Sequence, residues 1–128
     1  MTRSPSQKLD VAWLWKLLAL AYFAALVVGT HLPPPVVRMP PSLSDKVLHF
    51  SAYAGLAFLS AMAWETSTGR LNGRHLRILW MAIVAFAVVD ELTQLLVGRD
   101  AEFGDWLADA IGAAVGLLVF RVWQRWWG

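Results

Sequence analysis

The chain has 128 residues, of which 58% are hydrophobic and only 16% are charged, with a formal net charge of +2. Soluble domains carry about 25% charged residues, and so short a chain cannot bury this much apolar surface in one core, which excludes an ordinary soluble fold. Cysteine is absent, which excludes disulfides, thiolate nucleophiles and cysteine metal sites. The basic residues flank apolar runs, as topology signals do, which argues against a nucleic-acid-binding surface.

Four apolar runs are long enough to cross a membrane, because a spanning helix needs about 20 mostly apolar residues. We predict spans at about 11–30, 46–64, 76–97 and 105–123. The expected fold is therefore all-α, a four-transmembrane-helix bundle, with residues 1–128 in a single domain. Basic residues precede the first run as in a signal peptide, but no small-residue cleavage site follows, so we expect this run to be retained.

The segments between the runs contain residues that interrupt helices. Residues 32–43 hold five prolines, which predict an extended, partly polyproline-like connection. Ser44 is the candidate N-cap of the second helix. Glycine and asparagine predict a loop at 66–74, and 98–104 is expected to be a short polar turn.

Basic residues are unequally divided between the two sides of the predicted bundle. One side carries eight of them: Arg3, Lys8, Lys16, Arg70, Arg74, Arg77, Arg121 and Arg125. The other side carries three: Arg38, Lys46 and Arg99. By the positive-inside rule both termini lie in the cytoplasm. Trp106 then lies at the outer interface, and the other seven tryptophans lie at the inner one, where amphipathic rings are favoured.

Polar side chains within the spans gather near the outward ends of three helices. They are Asp45, Lys46, His49, Tyr53, Asp90, Glu91, Gln94, Asp105 and Asp109. At about 100° per residue, the members from each helix share one face. Glu91 lies about 9 Å and Asp109 about 6 Å below the outer boundary, at 1.5 Å per residue. These faces predict a shallow polar pocket that opens outward, with Arg99 in the adjoining turn.

Structural roles compete with functional ones at these positions. Asp45 and Asp105 begin helices, where the helix dipole favours a carboxylate. His49, considered alone, is better explained as a neutral imidazole hydrogen-bonded to a carboxylate across the bundle. Asp90 and Glu91 lie near a helix C-terminus, where the dipole disfavours anions, so a functional role is favoured there. We assign helix packing to Gly112 and Gly116, which form a small-xxx-small pattern.

Three sequence blocks resemble the VanZ-like family, over about residues 43–116. The motif D-K-x-x-H-F-x-x-Y corresponds to Asp45, Lys46, His49, Phe50 and Tyr53. The motif D-E-x-x-Q corresponds to Asp90, Glu91 and Gln94. The closing motif G-R…D-x-x-x-N/D-x-x-G corresponds to Gly98, Arg99, Asp105, Asp109 and Gly112. Many members carry Asn where this chain has Asp109, so the family does not require a charge there. The resemblance implies a small bacterial membrane protein, related to a founding member associated with low-level resistance to teicoplanin-type glycopeptides.

Together these features predict a multi-pass protein of the bacterial cytoplasmic membrane. Its pocket is expected to bind a lipid-linked wall precursor or an envelope-targeting antibiotic, and to contribute to resistance to glycopeptides or lipopeptides. The alternative is an enzyme acting on a lipid headgroup or wall intermediate, with catalytic candidates His49, Asp90 and Glu91. No cofactor is evident, and a divalent cation held by these groups is an option that no specific motif supports. A small transporter or a purely structural bundle ranks lower.

The predicted orientation is testable because the chain has no native cysteine. We expect an impermeant thiol reagent, added to intact cells with any outer membrane permeabilised, to label Ser42→Cys and to leave Ser67→Cys unlabelled. The reverse pattern would place both termini outside the cytoplasm.

Overall fold

The structure is a computed structural model that describes residues 4–32 and 45–128. It contains α1 (Pro5–Thr30), α2 (Asp45–Thr68), α3 (Gly73–Gln94) and α4 (Phe103–Trp127), and a 3-10 turn at Leu95–Val97 follows α3. No strand occurs in these ranges, and four helices are long and apolar enough to cross a membrane. The predicted all-α bundle of four spans is confirmed. The proline-rich connection and Ser44 lie outside the described residues, and the orientation of the termini stays a prediction.

The helices extend beyond the apolar runs because local polar groups satisfy their ends. At the start of α1, the Ser4 hydroxyl accepts from the Gln7 amide at 3.4 Å and the Gln7 side chain accepts from the Ser4 amide at 3.2 Å, a capping box. At the end of α2, the Gly69 amide donates to the Glu65 carbonyl at 2.9 Å and so pairs one of the last carbonyls of the helix. The predicted loop at 66–74 is therefore shorter, and Gly69 begins it with φ of 98°.

The closest contact in the bundle joins α2 to α4, which run in the same direction. A Cβ atom built on Gly112 would collide with the backbone carbonyl of Phe50, and one on Gly116 with that of Ala54. The same offset of 62 residues brings Phe58 to Phe120, whose rings meet edge-on with centroids 6.3 Å apart. The predicted packing role of the two glycines agrees with this contact, because only the missing side chain lets the backbones approach so closely.

The other two helices attach to this pair through polar donors on aromatic rings. Tyr22 of α1 donates from its hydroxyl to the Ala52 carbonyl of α2 at 2.8 Å, beside Gly55. The indole of Trp80 on α3 donates to the Ala110 carbonyl at 3.0 Å, and the indole of Trp106 on α4 donates to Val84 at 3.3 Å. These donors use carbonyl lone pairs that the helices leave free, so each contact fixes one helix against the next.

The end of the bundle that carries residues 69–72 is closed by hydrogen bonds. The Gln124 side chain is 1% exposed, and its amide donates both to the Glu65 carboxylate and to the Leu71 carbonyl. Glu65 also accepts from the Leu71 amide at 2.9 Å, and Arg121 donates to the Gln124 side-chain oxygen at 2.9 Å. We call the opposite end, where α2 and α4 begin and α1 and α3 end, the site end.

Gly116→Ala tests the contact between α2 and α4. We expect it to lower stability by about 1–3 kcal/mol, because the added methyl group forces two backbones apart. The measurement is the thermal unfolding midpoint of the purified protein in detergent. Gly29→Ala is the matched control: nothing lies within 4 Å of the added Cβ, so its midpoint should stay equal or rise. If both variants lowered the unfolding midpoint equally, the close contact at Gly116 would not be the cause of the lost stability.

Candidate functional site

All ten predicted pocket residues lie at the site end, and the structure divides them between two adjoining groups. The first, here called the Asp90 group, comprises Thr30, Tyr53, Asp90 and Gln94. The second, here called the His49 group, comprises Asp45, His49, Glu91, Asp105 and Asp109. Lys46 and Arg99 contact the second group from its rim. Three helices therefore converge as the polar faces predicted, and α1 adds to them.

Asp90 is satisfied by three hydrogen-bond donors. The Thr30 hydroxyl of α1 donates to Oδ1 at 2.9 Å, while the Tyr53 hydroxyl of α2 and the Gln94 amide donate to Oδ2 at 3.0 and 3.3 Å. Asp90 and Gln94 are each 1% exposed and Tyr53 is 0% exposed. A buried carboxylate with donors on both oxygens has its desolvation cost offset, so Asp90 joins three helices as a structural element.

The sequence reasoning missed the contribution of α1. Thr30 contacts Asp90, and His31 lies with Nδ1 3.7 Å from Asp90 Oδ1 and Nε2 2.8 Å from the Thr93 hydroxyl of α3. The signal was present, since Thr30 and His31 are the polar residues that end an otherwise apolar run. By itself the pattern indicates only the boundary of the span at these two residues.

His49 lies at the centre of the second group and is only 6% exposed. Its Nδ1 is 2.9 Å from Asp109 Oδ1 and 3.8 Å from Glu91 Oε1. Its Nε2 is 3.7 Å from both Asp45 Oδ2 and Asp105 Oδ2. An ionised carboxylate only accepts hydrogen bonds, so the short contact to Asp109 places the proton on Nδ1. In the neutral tautomer, the Nε2 lone pair then faces two further carboxylates.

The positions of these carboxylates follow from the helices that carry them. Asp45 and Asp105 occupy the first turns of α2 and α4, where the positive end of the dipole favours them, as predicted. Asp109 follows Asp105 by one turn on the same face. Glu91 comes from the far end of α3, and its Oε2 accepts from the backbone amide of Glu102 at 3.1 Å. The turn after α3 thus supplies a donor that the sequence pattern did not reveal.

Two buried carboxylate oxygens in this group have no hydrogen-bond partner. They are Glu91 Oε1 and Asp109 Oδ2, on side chains that are 5% and 0% exposed. An unpaired buried charge is costly even near a membrane boundary. The two acids named together in the sequence therefore differ: Asp90 is fully satisfied, whereas Glu91 is not.

Two basic side chains lie at the rim, where they offset part of this negative charge. Lys46 Nζ is 3.2 Å from Asp105 Oδ1 and 3.1 Å from Glu102 Oε2, and its side chain is 55% exposed. Arg99 lies 3.8 Å from Asp45 Oδ1. The group contains four carboxyls and Lys46 is shared with Glu102, so with all of these acids ionised the two cations at the rim balance only part of the negative charge.

Cavities flank His49 and Glu91 on different sides of the bundle. One of about 330 Å³ lies between α1 and α2, with apolar walls that include Leu26 and Leu48, and with Asp45, His49 and Arg99 at its polar part. Another, of about 320 Å³, lies between α3 and the start of α4 and reaches Glu91. Both are within the range of small-molecule pockets, about 300–1,000 Å³.

The comparisons with known proteins concern the whole bundle. A sequence-family model described as VanZ/LLP1 matches residues 6–124, which confirms the family resemblance of the three motifs and extends it over all four helices. No curated protein and no solved structure shows a significant match.

Thermal unfolding in detergent should separate the two neighbouring acids. We expect Asp90→Ala to be strongly destabilising, because it leaves the buried donors of Tyr53 and Gln94 unpaired at about 1–3 kcal/mol each and removes an acceptor of the half-buried Thr30 hydroxyl. We expect Glu91→Gln to leave the midpoint unchanged or raise it, because it removes an unpaired charge while its amide oxygen still accepts from the Glu102 amide. If Glu91→Gln lowers the unfolding midpoint as much as Asp90→Ala does, the His49 group stabilises the bundle and is not a binding site.

Proposed function

The chain belongs to the VanZ-like family and is a multi-pass membrane protein, and from this premise we propose that its site end binds an amphiphilic ligand of the cell envelope. The observation that carries the proposal is the cavity of about 330 Å³ between α1 and α2. Its walls are apolar and its polar part is formed by Asp45, His49 and Arg99. An amphiphile placed there keeps its chain against apolar side chains and its headgroup against the charged ones.

The membrane setting supports this assignment. By the charge bias of the sequence, the site end faces away from the cytoplasm, at the level of the lipid headgroups of the bacterial cytoplasmic membrane. Ligands with these properties are lipid-linked wall precursors and envelope-targeting antibiotics. Binding either of them at this level changes how much drug reaches its target, which links the cavity to the glycopeptide resistance associated with the family.

The polar groups around the cavity match a headgroup with both acidic and donor functions. Arg99, which lines the cavity, provides cationic donors for phosphate or carboxylate groups. Asp45, in the same polar part, accepts from hydroxyl, amide or amine groups. The opposite end of the bundle is closed by Gln124, Glu65 and Arg121, which supports binding over transport through the bundle.

An enzymatic role is the second candidate, and it rests on one observation. The 2.9 Å contact between His49 Nδ1 and Asp109 Oδ1 is the arrangement of a general base oriented by a carboxylate, with Nε2 directed to the cavity side. Asp109 suits this role better than Asp90, because both Asp90 oxygens are already hydrogen-bonded. An unchanged pool of lipid-linked intermediates on overexpression would exclude it.

Susceptibility assays test the binding proposal. In cells expressing each variant at wild-type level, we expect His49→Ala and Arg99→Ala to restore susceptibility to teicoplanin-type glycopeptides or lipopeptides to that of cells lacking the protein, because both side chains line the cavity. Asp100→Asn is the control, since Asp100 is an exposed acid in the turn beside the site. Full resistance in the His49 and Arg99 variants would contradict the proposal. Binding of a lipid-linked precursor, and of the antibiotic itself, to the purified protein then separates the two ligand sources.

A further inference from the structure

We propose that the His49 group is a site for a divalent first-row metal ion, bound by His49 Nε2 and the carboxylates of Asp45 and Asp105. One ligand atom from each of these residues lies within 4.8 Å of the others. The inference goes beyond the binding of an envelope ligand and does not require it, because the metal ion alone is the probe in its test.

The hydrogen bond on the opposite side of the imidazole selects this ligand set. The same criterion of proximity also groups His49 with Glu91 and Asp109. In that set, however, the imidazole ligand would be Nδ1, whose proton is donated to Asp109 at 2.9 Å. A metal-binding histidine characteristically donates its other N–H to a carboxylate, which fixes the tautomer and orients the ring. Asp109 is therefore a positioning residue, and Nε2 is the nitrogen free to bind.

The distances around Nε2 fit an ion after a small contraction. His49 Nε2 is 3.7 Å from Asp45 Oδ2 and 3.7 Å from Asp105 Oδ2. Bonds of about 2.0–2.2 Å from one ion place ligand atoms about 3.0–3.5 Å apart. Closing the two gaps to Nε2 requires movements of a few tenths of an ångström in acidic side chains on the first turns of their helices, and the Asp45 and Asp105 ligand atoms lie within 4.8 Å of each other. Asp45 and His49 also line the cavity between α1 and α2, which provides an entry path and room for water ligands.

Two unpartnered carboxylate oxygens lie on the opposite side of the imidazole from the proposed ion. Glu91 Oε1 and Asp109 Oδ2 are buried without a hydrogen-bond partner, and both acids contact His49 from its Nδ1 side. A metal ion on Nε2 makes the Nδ1–H group a stronger donor to Asp109, and its positive charge attracts both acids at longer range. The ion also offsets negative charge that Lys46 and Arg99 leave uncompensated.

The donor set indicates which ions bind. One imidazole nitrogen and two carboxylates suit Zn²⁺ or Mn²⁺, whereas Mg²⁺ and Ca²⁺ prefer oxygen ligands alone. Affinity for such mixed sites rises from Mn²⁺ to Zn²⁺. We therefore expect the order Zn²⁺, then Mn²⁺, then Mg²⁺.

The test uses the full chain, purified in detergent, stripped with a chelator and titrated with Zn²⁺ and with Mn²⁺ by calorimetry and electron paramagnetic resonance. We expect one ion per chain and a metal-dependent rise in the unfolding midpoint. His49→Gln and Asp105→Asn should weaken binding by more than about 100-fold, and Asp109→Asn by about 10–100-fold. Asp100→Asn should bind as the wild type does. Bound Mn²⁺ should show coupling to an imidazole nitrogen that His49→Gln abolishes.

Misfolding of the variants is checked separately. The unfolding midpoints of stripped Asp105→Asn and Asp109→Asn should be no lower than that of the stripped wild type, because each change removes negative charge from a group that has too much. Equal binding by wild type and Asp105→Asn would overturn the metal site. Binding lost in Glu91→Gln but kept in Asp45→Asn would overturn the assigned ligands and place the ion on the Nδ1 side. Neither result affects the proposal that the cavity binds an envelope ligand, because the susceptibility assay tests that proposal separately.

Discussion

The contact between α2 and α4 is the constraint on which the rest of the structure depends. Gly112 and Gly116 lie against the backbone of Phe50 and Ala54, so the two helices approach more closely than any pair with side chains at those positions. Because the helices run in the same direction, this register also determines which side chains of α2 and α4 come into contact one turn nearer the site end. There Asp109 reaches His49, and Asp105 approaches it from the next turn.

Neighbouring residues on a helix point about 100° apart, and this separates the roles of the two acids at the end of α3. Asp90 faces α1 and α2 and receives three hydrogen bonds, so it contributes to the stability of the bundle. Glu91 faces the start of α4, where one of its oxygens is bound by a backbone amide and the other has no partner. Local polar groups that a bundle leaves unsatisfied are expected at functional positions rather than at purely structural ones.

The charged side chains at the two ends of the bundle are compensated to different extents. At the closed end, the charges of Glu65 and Arg121 are tied to Gln124 and to the Leu71 carbonyl, so polar groups at the membrane boundary satisfy one another. At the site end, four carboxyls surround one imidazole and two basic side chains only partly balance them. The imbalance and the adjacent cavity are the observations on which the proposed binding of a ligand at that end rests.

The sequence by itself determined the four spans, the all-α fold, the family and the end of the bundle at which the polar residues meet. These properties follow from hydropathy, helical period and motif order, which act within one segment of chain. The tertiary structure decided the rest: that α1 contributes Thr30 and His31, that the Glu102 amide binds Glu91, and that Asp90 is satisfied while Glu91 is not. Those outcomes depend on rotation and register between helices, which close packing sets and which no single helical pattern contains.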